Sequence, residues 1–187
     1  MRYRDGDIIV ATIQLYPEEV YRTGLTVKIC QTRRTSSQSV SPAVKSLNYL
    51  NNIMAALELR GTGAHEGLVL TLDGYVCECT ADNFFMVKGG RLLTPSPAVG
   101  ALRGVTRGVV MQLAREMDLD VEEGLFTPYD VYTADEAFLT GTGAEVAPVV
   151  QVDLRPIGDG TPGPITHELI QRFRAHAGRS GTAVYPA

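Results

Sequence analysis

Val44-Lys45-Ser46-Leu47-Asn48-Tyr49-Leu50-Asn51-Asn52 is the stretch from which the rest of this 187-residue chain is best read. It follows Ser41-Pro42 and opens a run in which Leu50, Ile53, Met54 and Leu57 recur at i, i+3, i+4 and i+7, the spacing of one apolar helix face. This spacing predicts a helix that opens at Lys45, buries that face, and ends near Gly61-Thr62-Gly63. The chain has only three lysines. Lys28 alternates with Leu25, Val27 and Ile29 in a strand pattern and points to the solvated face, while Lys88 adjoins Gly89-Gly90 in an expected hairpin turn. Lys45 differs from both. At a helix start the positive end of the backbone dipole favours an unprotonated amine. That form attacks carbonyl carbons.

Composition narrows the class. A hydrophobic content of 44% and a charged content of 20% fit a globular chain with a sizeable core and exclude disorder. A net charge of -4 and a pI near 5.4 argue against nucleic acid as a partner. No apolar run reaches membrane-spanning length, and residues 1–7 lack a signal-peptide core, so a cytoplasmic protein without a membrane partner is expected. Cys30, Cys77 and Cys79 are too few for a disulfide framework, and the one-residue gap between the last two does not suit zinc. Reduced thiols and no metal site are expected. His65, His167 and His176 read as surface residues.

In chain order, residues 7–14 and 25–31 read as two strands, too little sheet to close a core by themselves. Residues 33–42, rich in Ser, Thr and Gln, read as a connection. The expected division is residues 1–35 as part of a small N-terminal unit, 36–42 as a linker and 43–187 as the large domain. Strands are predicted over 67–72, 75–79, 83–87 and 92–94, with turns at Asp73-Gly74 and Gly89-Gly90. A helix over 106–117, strands over 119–122, 136–139 and 146–152, and a last helix from Pro164 complete the α+β pattern. No internal repeat is visible.

Three places could carry chemistry. Leu102-Arg103-Gly104-Val105-Thr106-Arg107 puts free backbone N–H groups at a helix start, suited to an anion such as phosphate, although an ordinary capping threonine reads the same way. Gly141-Thr142-Gly143 could add a hydroxyl and a close backbone approach, or be a plain turn; Gly61-Thr62-Gly63 has the same letters. Glu78 sits among apolar neighbours, and a buried carboxylate needs a cationic partner: a protonated pyridine nitrogen or an arginine.

Taken in order, Lys45-Ser46-Leu47-Asn48-Tyr49-Leu50-Asn51-Asn52, Gly74-Tyr75-Val76-Cys77-Glu78 with Asp82-Asn83-Phe84-Phe85, Gly104-Val105-Thr106-Arg107, and Ala134-Asp135-Glu136-Ala137-Phe138-Leu139-Thr140-Gly141-Thr142 resemble the fold-type IV, pyridoxal 5'-phosphate-dependent class IV aminotransferases, branched-chain amino acid aminotransferases above all. Ile157-Gly158-Asp159-Gly160 and Gly163-Pro164-Ile165-Thr166 fit as well. The resemblance implies an α+β fold, namely the C-terminal domain of that fold: a β-rich pseudo-barrel with flanking helices, preceded by a remnant of the small N-terminal α+β domain. It implies that Lys45 forms the Schiff base with pyridoxal 5'-phosphate and moves the substrate proton, that Glu78 keeps the pyridine nitrogen protonated, and that Tyr49 bonds the phenolic oxygen. Val105, Thr106 and Thr142 would hold the phosphate, and Thr142 with Gly143 would meet the substrate carboxylate. The implied reaction exchanges an amino group between branched-chain L-amino acids and 2-oxoglutarate, in a homodimer or larger homo-oligomer. D-amino acid aminotransferase and aminodeoxychorismate lyase activities belong to the same fold. A shortened, non-catalytic remnant is the reading from another class, because the resemblance implies that most of the small domain, with its phosphate-gripping arginine, is missing.

Overall fold

The computed structural model describes residues 15–36, 38–42 and 44–181. The strand expected over 7–14 lies outside them. Among the described residues the chain forms five α-helices, α1 (Glu18–Thr23), α2 (Leu50–Leu57), α3 (Val105–Arg115), α4 (Pro128–Tyr132) and α5 (Pro164–Ala177). Nine strands accompany them: β1 (Leu25–Arg33), β2 (Glu66–Leu70), β3 (Val76–Cys79), β4 (Asn83–Lys88), β5 (Arg91–Pro95), β6 (Val121–Gly124), β7 (Glu136–Gly141), β8 (Glu145–Val152) and β9 (Arg155–Pro156). None of the described helices is long and apolar enough to cross a membrane.

All nine strands join one mixed sheet in the order β3-β2-β1-β8-β7-β4-β5-β6, with β9 on β8. The sheet curls until β3 touches β4 and β5, as expected of a β-rich pseudo-barrel. Strand alternation explains its two cores. On β4, Phe84 and Met86 face an inner cluster with Leu68, Val76, Leu139 and Val149. Phe85 and Val87 face outward under α3 and α5, against Val110, Leu113 and Leu169. Phe85 stands opposite Phe138 on β7, and their rings stack with centroids 5.0 Å apart. Burying residues on both faces is why these strands read as near-continuous apolar runs.

The expected turns form where glycine allows them. Gly89 and Gly90, at φ +58° and +74°, close the β4–β5 hairpin in the conformation that matches strand twist. Pro164 takes the first turn of α5, and the Glu136 carboxylate on β7 accepts from the Ile165 and Thr166 amides at 3.1 and 2.8 Å. A side chain from the sheet thereby caps the helix that covers it.

Two expectations need correction. Residues 25–33 do not stand apart as part of a separate small unit, and 36–42 do not separate two bodies. β1 runs through the middle of the sheet, parallel to both β2 and β8. Leu25 and Val27 are fully buried there, so the strand's apolar face belongs to the large core. The helix near Lys45 also starts later and faces the other way. α2 begins at Leu50 without a side-chain cap, and residues 44–49 are irregular. Leu50, Ile53, Met54 and Leu57 are exposed, and Ala55 alone in α2 is buried, against Cys30 and Val69. An apolar stripe marks one side of a helix but does not say what will cover it.

Candidate functional site

Lys45 lies five residues before α2, so the helix dipole invoked for it does not act there. It stands instead where two hollows meet. A cleft of about 810 Å3 runs between the turn at Thr80-Ala81-Asp82, the start of α3 and the β7–β8 turn. A smaller recess behind it reaches Glu78, Arg34 and Asn52. Lys45, Tyr49, Asp82, Asn83 and Leu102 border both. Lys45 and the buried Glu78 both line the smaller recess.

Glu78 enters on β3 with its side chain almost wholly buried. Burial pushes its carboxyl up from the ordinary range, and Arg34, the Leu102 amide and Lys45 pull against that shift. Arg34 Nη2 donates to Oε1. Asn83 Nδ2 and the Leu102 N–H donate to Oε2 at 2.9 and 2.8 Å. Both alternatives left open by the sequence bear on this residue, because an arginine partner is present and acceptor capacity remains. A carboxylate offers about four acceptor sites. Oε1, with its single donor, can still take an N–H from a ring nitrogen.

Val105 and Thr106 begin α3, an eleven-residue helix whose N-cap, Gly104, supplies no side-chain cap. Among the described residues no side chain caps their amides, which leaves them open to an anion. Gly104 is required by close approach, since a Cβ there would lie 2.2 Å from Asn83 Oδ1. Thr142 and Gly143 form the β7–β8 turn across the cleft. Beside them Thr140 is 1% exposed, and its Oγ1 has no hydrogen-bond partner among the described residues. A buried hydroxyl and helix-start amides in the larger hollow, a buried acceptor in the smaller one and a lysine bordering both fit a phosphorylated, aldehyde-bearing aromatic group. Tyr49, at the N-cap of α2, lines the same hollow.

Sequence reasoning missed the shell behind these residues. Arg34 fell in the stretch read as a connection, and Asn52 and Asn83 were seen only as parts of motifs. The signal for Arg34 was available in kind: a buried carboxylate demanded a cation. Its position, 44 residues away, was not. Asp82 was also unassigned. Burial, with Glu66 and then Glu78 nearby, pushes its carboxyl up to about 7. The three cysteines are free and buried, and burial raises Cys77 to about 12, so none is a reactive thiol.

Comparison with known proteins bears on this arrangement. Residues 4–152 match the family described as amino-transferase class IV. A putative branched-chain-amino-acid aminotransferase of Methanocaldococcus jannaschii is 43% identical over 153 residues, 82% of this chain and 53% of that protein. A probable branched-chain-amino-acid aminotransferase of Aquifex aeolicus is 41% identical over 158 residues, 83% of this chain and 50% of its own length. Among solved structures, the branched-chain amino acid aminotransferase of Thermobaculum terrenum in its pyridoxal phosphate-bound form superposes with a TM-score of 0.83 at 35% identity, over 89% of this chain and 55% of that one. The chain thus spans about half the length of the curated relatives it matches.

Proposed function

This chain belongs to the class IV aminotransferase family, and from that premise we propose that it holds pyridoxal 5'-phosphate in the cleft at Lys45 and exchanges amino groups between branched-chain amino acids and 2-oxo acids, 2-oxoglutarate among them. The observation that carries this reading is that Lys45 and the buried Glu78 border one recess. When bound, the cofactor supplies a conjugated ring that withdraws negative charge from the amino acid Cα. Lys45 Nζ would hold the cofactor through its aldehyde carbon, with loss of water, and would carry a proton to and from the substrate Cα. Glu78 accepts the ring N–H and keeps that proton in place. The Val105 and Thr106 amides, with Thr142, hold the phosphate at the positive end of α3. Tyr49 donates to the phenolic oxygen, and the Thr142-Gly143 turn meets the substrate carboxylate. The work is done by an unbranched set of polar groups around one amine, in a homodimer or larger homo-oligomer of a cytoplasmic protein.

A second reading is a chain that binds the cofactor without turnover. One experiment addresses both. The purified chain is mixed with pyridoxal 5'-phosphate, reduced with borohydride and digested, and the modified peptide is identified by mass spectrometry. Labelling at Lys45 that is lost in Lys45→Ala supports the site, whereas labelling at Lys28 or Lys88 alone overturns it. Conversion of L-leucine and 2-oxoglutarate to products then separates turnover from binding.

A further inference from the structure

Resting on the reading of Glu78 just given, we propose that Arg34 is a positioning residue for the cofactor's ring nitrogen: it keeps the Glu78 carboxylate ionised and fixed in direction, and it ties the segment that carries Lys45 to the same ion pair. Arg34 is as buried as its partner. Each of its nitrogens serves a different part of the fold. Nη2 donates to Glu78 Oε1 on β3, Nη1 to Asn52 Oδ1 on α2 at 3.0 Å, and Nε to the Gly100 carbonyl at 3.3 Å. Asn52 continues the chain by donating from Nδ2 to the Thr80 carbonyl at 2.6 Å. The backbone of Arg34 is anchored too, its N–H donating to the Leu70 carbonyl at 2.8 Å. A planar guanidinium can meet three fixed acceptors at once, and a lysine ammonium cannot reproduce that fork.

The charge matters as much as the geometry. A carboxyl buried to this extent without a cation takes up a proton, because its ionised form loses water and gains nothing. A neutral carboxyl in place of Glu78's anion would no longer favour a protonated ring nitrogen opposite it. Asn83 and the Leu102 amide orient Oε2 but are uncharged, so they cannot replace Arg34 in this respect. A residue that merely joined β1 to α2 would leave the ring nitrogen's proton untouched.

The test uses the intact chain loaded with ring-15N pyridoxal 5'-phosphate, in the wild type and in Glu78→Gln, Arg34→Gln and Arg34→Lys, with circular dichroism confirming the fold. The 15N chemical shift reports ring protonation directly and is followed against pH. The wild-type nitrogen is expected to be protonated at neutral pH, Glu78→Gln to lose that proton, and Arg34→Gln to behave like Glu78→Gln although Glu78 is intact. Arg34→Lys is expected to recover part of the effect. Its midpoint should fall about one to two pH units below the wild type, the equivalent of one hydrogen bond to a charged group. A folded Arg34→Gln with a wild-type titration overturns the role of Arg34 while leaving Glu78's intact. If Arg34→Gln does not fold, an unshifted midpoint in Arg34→Lys overturns it equally. A ring nitrogen that stays protonated in Glu78→Gln, or a wild type that binds no cofactor, overturns the reading of Glu78 and this inference with it.

Discussion

Replacing Gly104 by alanine tests how tightly the start of α3 is bound to the Glu78 shell. Gly104 has φ -62° and ψ 143°, a conformation open to any residue, so backbone strain does not enter. The added Cβ would stand 2.2 Å from Asn83 Oδ1, whereas ordinary contact begins near 3.4 Å, so one partner must yield by over 1 Å. Asn83 is buried and its amide nitrogen is committed twice, to Glu78 Oε2 at 2.9 Å and to the Leu102 carbonyl at 2.8 Å. Moving it breaks both bonds, one of them to a charged group, a cost of about 2–4 kcal/mol. Alanine is also a poorer N-cap than glycine, by roughly 1 kcal/mol or less. Urea unfolding of the wild type, Gly104→Ala, Asn83→Ala and the double variant separates the two effects. In the Asn83→Ala background the clash is gone, and only the small capping cost should remain. A coupling of about 2 kcal/mol is expected, and equal costs in both backgrounds, within about 0.5 kcal/mol, would refute the argument.

Other predictions follow from the same packing. Asp82, whose carboxyl is pushed up to about 7 from 3.8, binds its proton more tightly folded than unfolded. That stability is fully present below about pH 4 and lost as pH rises through 7, so Asp82→Asn should flatten the decline, worth up to roughly 4 kcal/mol between pH 4 and 8 in urea unfolding. Glu136→Gln sets an amide nitrogen against one of the three α5 donors that Glu136 now satisfies. It should cost about 1–3 kcal/mol and speed hydrogen exchange at Ile165 and Thr166; unchanged exchange would count against the cap. Leu169→Ala, in the core under α5, should cost about 2–5 kcal/mol, whereas Leu47→Ala at a fully exposed position should stay within about 0.5 kcal/mol by thermal or chemical unfolding.

What the sequence made legible was local or ordered. The hairpin at Gly89-Gly90, the Pro164 helix start and the strands from β2 to β5 carry their own signals in alternation, glycine and proline. The cluster of Lys45, Glu78, Val105, Thr106 and Thr142 was legible only because four motifs occur in one order; singly, each had an ordinary explanation. What depended on distant partners was hidden. The residues of β1 look alike whether they edge a small unit or run through a large sheet, and only their pairing with β8 decides. The stripe on α2 has helical spacing, yet nothing among the described residues covers it, so spacing misled about burial. Arg34 carried no pattern at all, because its meaning comes from a carboxylate on a strand not yet formed.

The central place of β1 has a consequence for synthesis. During translation it precedes both of its neighbours: β2 covers one edge after some thirty residues of connection, but Leu25 pairs with Val149 only when β8 has emerged. Until then the nascent chain carries an open strand edge beside unburied Leu25 and Val27, the kind of surface on which chains stick to one another. A ribosome that stalls or terminates before Glu145 releases a product with that edge still bare. Such fragments are expected to be insoluble or to be taken up by chaperones, although every strand from β1 to β7 is complete.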